Sequence, residues 1–457
     1  MTAFSYGIGT LGRDMLAAMV STYLLFYITE VRLVSGVHLA AITVVMVFMR
    51  IFDALNDPFM GMVVDNTRTR WGKFKPWQAL GAVLWAVAGV GMFTGWDAQG
   101  WAFVAVFFLV YLAYEVSYTI NDISYWGMLP SLSRDQAERA RIGSVARISA
   151  SIGLFSVVVG IVPGTHWLER QLGSAQAAWT TAAVIAAGVM LLFQVAPLLG
   201  ARERVHVVTG NTTLRQLWRA IVRNDQLMWT TLGMVLFFTG YGTTASIAIY
   251  FFKYVFGDLQ AYTVFAAVLG VTQVVALALF PLVSKVAGRF TIHAWATAMI
   301  AVGYLGFLAA GRNLALVLAA AVLMFAGQAA VQLLMVMFIA DSVEYGQWKL
   351  GRRNESITFA LQPFIYKSSG GLSTGIVGAA LLLAGIGRSA SDPENGPVVI
   401  DEGPAWILRV AMIIVPLVLV VASWVVLRAR YRLDEQTYAG IVADLRAREA
   451  ALDEGEG

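Results

Sequence analysis

The stretch RIFDALNDPFMG, residues 50–61, places Arg50, Asp53 and Asp57 inside an otherwise apolar segment, with AAITVVMVFM before it and MVV after it. A helix puts Asp53, Asn56 and Asp57 at i, i+3 and i+4, on one face, with Arg50 a turn earlier on nearly the same face. An unpaired charge at bilayer depth costs at least ~3 kcal/mol on insertion scales. Three charges on one face must therefore look into protein or a water-filled cavity. Two carboxylates four residues apart repel when both are ionised, and a bound cation or a shared proton removes the repulsion. Hard cations take oxygen ligands, which two Asp and an Asn carbonyl supply. Pro58 removes a backbone donor and is expected to bend the helix and free a carbonyl nearby. The plain alternative is a structural salt bridge between Arg50 and one Asp, but one Arg cannot neutralise two.

The rest of the chain says which solvent surrounds that segment. Its 457 residues are 58% hydrophobic and 13% charged, with mean hydropathy +0.70. Soluble proteins carry about 25% charged residues, so this composition points to a polytopic membrane protein. There is no cysteine, which excludes disulfides, thiolate chemistry and cysteine metal sites. His38, His166, His206 and His293 are scattered without ligand spacing. No ATP-binding loop, dinucleotide fingerprint or nucleophile–base arrangement appears, so no enzyme is expected. The pI near 9.2 comes from basic residues in short loops, which is a topology signal rather than a nucleic-acid one. The N-terminal segment lacks a basic n-region and runs into a full span, so it reads as an uncleaved insertion signal.

Apolar segments long enough to span occur at about 10–31, 36–61, 77–96, 100–126, 143–165, 176–199, 226–252, 260–284, 291–310, 313–340, 356–386 and 405–427. Lys and Arg crowd into 66–76, 131–141, 200–224, 285–289, 349–353 and 428–448. The opposite connections hold only Arg32, Arg170, Lys253, Arg312 and Arg388. That bias puts both termini in the cytoplasm. A polar middle loop at 200–225 divides the chain into bundles at 1–199 and 226–430, followed by a charged tail at 431–457. The tail reads as a short helix that frays. The loop at 389–406 is long, and its sequence suggests no physical role beyond a cap or a flexible connection.

Further charges sit within the spans. Asp14 follows Arg13 in the first. Asp122 lies in YTINDISYWGMLP with Trp126 four residues on and Tyr118 and Thr119 a turn before. Arg147 opens the fifth. A carboxylate beside an indole suits polyol recognition, with the Asp accepting from hydroxyls and the ring covering a sugar's apolar face. The alternative is an Asp122–Arg147 pair that only joins helices. Lys367, twelve residues after Glu355 and so roughly 18 Å along a helix, is too deep to snorkel fully and is expected to balance Asp53 and Asp57. At the cytoplasmic ends, Asp65 could form a gate with basic residues of the second bundle, and the basic residues of its loop, Arg70 among them, could form ion pairs with Asp341, Glu344 and Glu355 opposite.

Several stretches carry a family resemblance: SYGIGTLGRD (5–14), YLLFYITEV (23–31), RIFDALNDPFMG with TRTRWGKFKPW (67–77), YTINDISYWGMLP (118–130) and ADSVEYGQWKLGRRNESITFALQPFIYK (340–367). The chain resembles the glycoside–pentoside–hexuronide:cation symporters, the group of the melibiose carriers, from Ser5 to the last span. The resemblance implies an all-α major facilitator fold, twelve transmembrane helices in two six-helix bundles, in a bacterial inner membrane, working as a monomer. It implies cation-coupled sugar import by alternating access. Asp53, Asn56, Asp57 and Thr119 match the cation site, with Asp53 and Asp57 as the metal-ion carboxylates. Asp14, Asp122, Trp126 and Arg147 match the sugar pocket, and Arg13 and Tyr118 accompany them. Arg13 stands where the melibiose carriers have lysine. Arg50 and Lys367 match charge-balancing residues. Sodium is the favoured coupling ion, with H+ and Li+ as alternatives, and no cofactor is expected. The partners are a sugar (melibiose-like, a pentoside or a hexuronide), the cation and membrane lipid, with no nucleic acid. A lipid or lysolipid carrier on the same scaffold is the rival reading, and a sensor that has lost transport is a more distant one.

Overall fold

The computed structural model describes residues 2–132, 136–201, 222–350, 355–386 and 401–455. Most of the middle loop and of the 389–406 loop lies outside the described residues. The backbone is helical wherever the sequence has an apolar run. Helices α1 (Thr2–Glu30), α2 (Gly36–Asp65), α3 (Lys75–Met92), α4 (Gly100–Leu132), α5 (Gln136–Leu172) and α6 (Ala175–Gly200) come first. Then follow α7 (Asp225–Tyr250) with a π turn at Phe251–Phe256, α8 (Leu259–Val283), α9 (Arg289–Ala309), α10 (Leu314–Leu350) and α11 (Glu355–Leu383). The last apolar run forms α12 (Glu402–Arg409), a π turn (Val410–Ile414) and α13 (Val415–Arg430), and α14 (Glu435–Gly455) ends the chain. Backbone groups in hydrocarbon must bond internally, which is why apolar runs become helices.

Among the described residues, ten helical segments are long and apolar enough to cross a membrane. Two of the expected spans, at α3 and α11, form helices that fall short of that measure. α3 has 18 residues and includes Lys75 and Gln78; α11 carries Lys367 and the run Ser368–Ser369–Gly370–Gly371. Large apolar side chains point outward along the long helices, among them Val44, Phe48 and Ile51 on α2 and Val83 and Val87 on α3. Such a surface suits lipid and not water.

Two expectations change at the chain's end. The last span starts at Glu402, so part of the supposed long loop is helical. The tail helix does not fray early but continues to Gly455. It is anchored at its start, where Glu435 accepts from the Arg289 amide at 2.7 Å, and again where Trp348 donates to Asp444 at 3.2 Å. Asp434 caps it, accepting from the Thr437 amide at 2.8 Å. The Thr437 amide and hydroxyl hold the Asp434 carboxyl below its usual range. Pro58 does not interrupt α2, which is helical throughout.

The chain forms two compact units. One holds α1–α6, the segment Ala248–Ala267, and the chain from Thr374 to Leu408. The segment Ala248–Ala267 joins it through polar contacts at the end of α1. Glu30, its carboxylate buried, accepts from Lys253 and from the Tyr254 hydroxyl at 2.5 Å. The hydroxyls of Thr29 and Tyr250 meet at 2.9 Å, and those of Tyr23 and Tyr262 at 3.1 Å. In the other unit, buried Asp341 accepts from Arg289 and from the Tyr431 hydroxyl at 3.4 Å. Asn224 donates to the Ser342 carbonyl at 2.8 Å.

α1 packs on both α5 and α6, and the approach needs glycine. A Cβ on Gly153 would sit 2.0 Å from the Leu11 carbonyl oxygen of α1, and one on Gly12 would sit 2.5 Å from Met190 Cα of α6. Small residues let membrane helices meet backbone to backbone. Overpacking a tight core costs typically ~1–3 kcal/mol and more where backbone must move. Gly153→Val is therefore expected to lower the melting temperature by several degrees or abolish the monodisperse peak on size-exclusion chromatography in detergent. Gly164→Val, where a Cβ meets nothing within 4 Å, is the control and should behave as the wild type.

Candidate functional site

The first unit gathers both groups of charges that the sequence singled out, and α4 is the element they share. At one level α2 meets α4. Asp53, fully buried, accepts a hydrogen bond from the Thr119 hydroxyl at 2.6 Å. Asn56 and Asp57 are half-buried on the same helix. The i, i+3, i+4 pattern on α2 and a β-branched hydroxyl on α4 thus assemble an oxygen-rich cluster. Among the described residues no group of three or more His, Cys, Asp or Glu is placed to hold a metal ion. The oxygens here come instead from two Asp, an Asn and a Thr.

Arg50 departs from the simplest expectation. It forms an ion pair with Glu115 of α4, Nη1 to Oε1, at 3.9 Å. Glu115 is only 1% exposed. The sequence reading passed over it, although a Glu inside the apolar run YLAYEVSY carried the same signal as Asp53.

One turn further along α4 lies the second group. Arg13 Nη2 donates to Asp122 Oδ1 at 2.5 Å. The Arg13 guanidinium lies 4.5 Å from the centre of the Tyr125 ring, and its Nε and Nη1 are buried without a hydrogen-bond partner. Asp14 lies within electrostatic reach of Arg13, Asp122 and Arg147. Arg147, exposed, sits 4.8 Å from the Trp126 ring centre. Tyr118 packs edge-on against Trp85 at 5.1 Å. The expected alternative of an Asp122–Arg147 pair is thus replaced by two couples, Asp122 with Arg13 and Trp126 with Arg147. The guanidinium stacks on aromatic faces, as lysine's point charge would do less well.

Backbone-directed bonds hold this wall in place. Tyr6 donates to the Tyr125 carbonyl at 2.7 Å, Tyr125 donates back to the Tyr6 carbonyl, and the two rings stack at 4.5 Å. Thr10 donates to the Ala146 carbonyl at 2.6 Å. Gln78 bonds Gln194 at 2.8 Å, and Asn121 donates to the Gln78 carbonyl at 3.0 Å. The sequence reading named none of these, because no local spacing links α1 to α4 or α3 to α6.

Lys367 is half-buried on α11 in the other unit. Of the gate residues, Arg70 is exposed and Glu344 half-buried, while Asp341 pairs with Arg289 within its own unit. The side chains of Asp65 and Glu355 lie outside the described residues.

Residues 5–435 match the model of the family described as MFS/sugar transport protein. The chain belongs to that family. It is a major facilitator transporter of the glycoside–pentoside–hexuronide group, as its motifs imply, and not an enzyme. The lactose permease of Lactobacillus helveticus is 31% identical, over 99% of this chain and 72% of its own. That of Leuconostoc lactis is 29% identical, over 96% and 71%. Among solved structures, an inward-facing bacterial homolog of the human lysosomal transporter Spinster aligns with TM-score 0.66 at 13% identity, covering 96% of both chains. That likeness concerns the fold.

Removing one partner of a buried ion pair leaves the other charge uncompensated, at a cost of about 3–5 kcal/mol in full burial. Asp122 is partly solvated, its side chain 27% exposed against 4% for Arg13. Asp122→Asn should therefore cost somewhat less, about 2 kcal/mol, read as a lower melting temperature in detergent. Arg13→Lys, which keeps the charge, should recover most of the wild-type melting temperature and lose only the stacking on Tyr125.

Proposed function

We propose that the protein is a cation-coupled sugar symporter that imports a neutral glycoside, with sodium as the favoured coupling ion. The observation that carries the reading is the sharing of α4. Thr119 reaches the Asp53 carboxylate, and three and seven residues later Asp122 and Trp126 line the second group. A cation near Asp53 and Asp57 would relieve their repulsion and fix the register of α4, and so shape the pocket at Asp122. The sugar would do the converse, because coupling between two ligands is reciprocal.

In that pocket Asp14 and Asp122 accept from sugar hydroxyls, Trp126 covers the apolar face of a ring, and Arg13 and Arg147 donate to sugar oxygens. Two arginines against two aspartates balance to zero, which favours a neutral sugar over a hexuronide. The relatives named lactose permease support a disaccharide and lend nothing to the lipid-carrier reading. Twelve spans in two bundles, cytoplasmic termini and alternating access complete the proposal, supported by the Lys and Arg bias of the loops. Lys367 and Arg50 balance charge around the aspartates through the cycle.

Sugar uptake into proteoliposomes tests this, with α-galactosides, β-galactosides, pentosides and glucuronides under imposed sodium or proton gradients. Uptake of a galactoside driven by the sodium gradient is the expected result. Asp57→Asn should reduce the gradient-driven component at least ~10-fold, the equivalent of ~1.4 kcal/mol of coupling. A folded protein that moves no sugar under either gradient would end the sugar assignment.

A further inference from the structure

Glu115 has no part in the proposed cycle, yet its position ties it to the cation site. It lies on α4 four residues before Thr119, so the two share a face. Two rungs consequently join α4 to α2, one helical turn apart: Glu115 to Arg50 at 3.9 Å, and Thr119 to Asp53 at 2.6 Å. Arg50 precedes Asp53 by three residues on α2, within reach of it along the helix. It interacts electrostatically with both Glu115 and Asp53, and with Tyr111 and Tyr114. Arg50 thus has two carboxylates to serve, Glu115 across on α4 at 3.9 Å and Asp53 three residues along its own helix, and it cannot relinquish its charge.

Those two carboxylates compete for it with opposite consequences. A guanidinium drawn onto Asp53 covers the oxygens a coupling cation needs and places a like charge beside it. A guanidinium held by Glu115 leaves Asp53 to Thr119 and the cation. We propose that Glu115 is a positioning residue of the cation site, which holds Arg50 off Asp53 and thereby sets the affinity for the coupling cation. The inference rests on reading Asp53 and Asp57 as the cation pair. It separates from a merely structural α2–α4 tie by its sign: loss of Glu115 matters only while Arg50 is present to collapse onto Asp53.

The test is a sodium titration of the melting temperature of the purified full chain, at constant ionic strength with choline as the replacement ion. A ligand that binds the native state stabilises it according to its affinity, so the midpoint reports sodium binding without any sugar. Glu115→Gln should move the midpoint to about tenfold higher sodium, which is ~1.4 kcal/mol. Adding Arg50→Gln to it should bring the midpoint back to within about threefold of wild type, since no guanidinium remains to occupy Asp53. Glu115→Asp, which keeps the charge on a shorter arm, should give an intermediate shift and serves if the Gln variant does not fold. An unchanged midpoint in the Glu115 variants, or a raised one that Arg50→Gln does not lower, overturns the inference alone. A wild type stabilised by neither sodium nor protons overturns the cation reading, and this inference with it.

Discussion

A carboxylate inside an apolar bundle has to be held by something, and in this protein α4 does the holding. Asp53 is out of contact with solvent, and the Thr119 hydroxyl reaches it from α4. Arg50 is drawn to Glu115 on that helix, and Arg13 to Asp122. Three polar ties on one face of α4 therefore join α2 on one side and α1 on the other. Thr119–Asp53 and Arg13–Asp122 are hydrogen-bonded and Arg50–Glu115 is a longer electrostatic contact at 3.9 Å; in poorly screening surroundings each would be costly to leave half-made. The registers of α1, α2 and α4 are linked through them. A change at one charged group must be felt by the others.

The coupling of two ligands proposed above would need no long-range pathway. Thr119, Asp122 and Trp126 span about two turns of a single helix. A rotation or shift of α4 moves all three together. Neutral contacts tie the neighbouring helices together: the reciprocal Tyr6–Tyr125 bonds join α1 to α4, the Gln78–Gln194 amide pair joins α3 to α6, and glycines bring α1 onto α5 and α6. These contacts use neutral groups bonded to backbone or to each other.

Substitution of arginine for lysine at position 13 also has a clear physical meaning here. A lysine would offer one compact charge to Asp122. The guanidinium bonds Asp122 with one nitrogen and sits against the Tyr125 ring, 4.5 Å from its centre. The pocket thereby gains a planar donor array rather than a point charge, while its net charge is unchanged.

The sequence alone determined the membrane class, the helical character of nearly every span and the residues worth asking about, since hydropathy and helical spacing are local properties. RIFDALNDPFMG announced its function by breaking its own pattern, and the i, i+3, i+4 face of Asp53, Asn56 and Asp57 needed no partner to be seen. What only the tertiary structure decided is which charge meets which. Asp122 could have paired with Arg147 and instead pairs with Arg13. Arg50, expected to serve the aspartates of its own helix, also meets Glu115 of α4. Ala248–Ala267 clusters with the first six helices through Glu30, a residue with no distinguishing local signal. Spacing along one helix says which side chains share a face. It cannot say what that face meets, because the partner lies up to a hundred or more residues away, and its position depends on how every intervening helix packs.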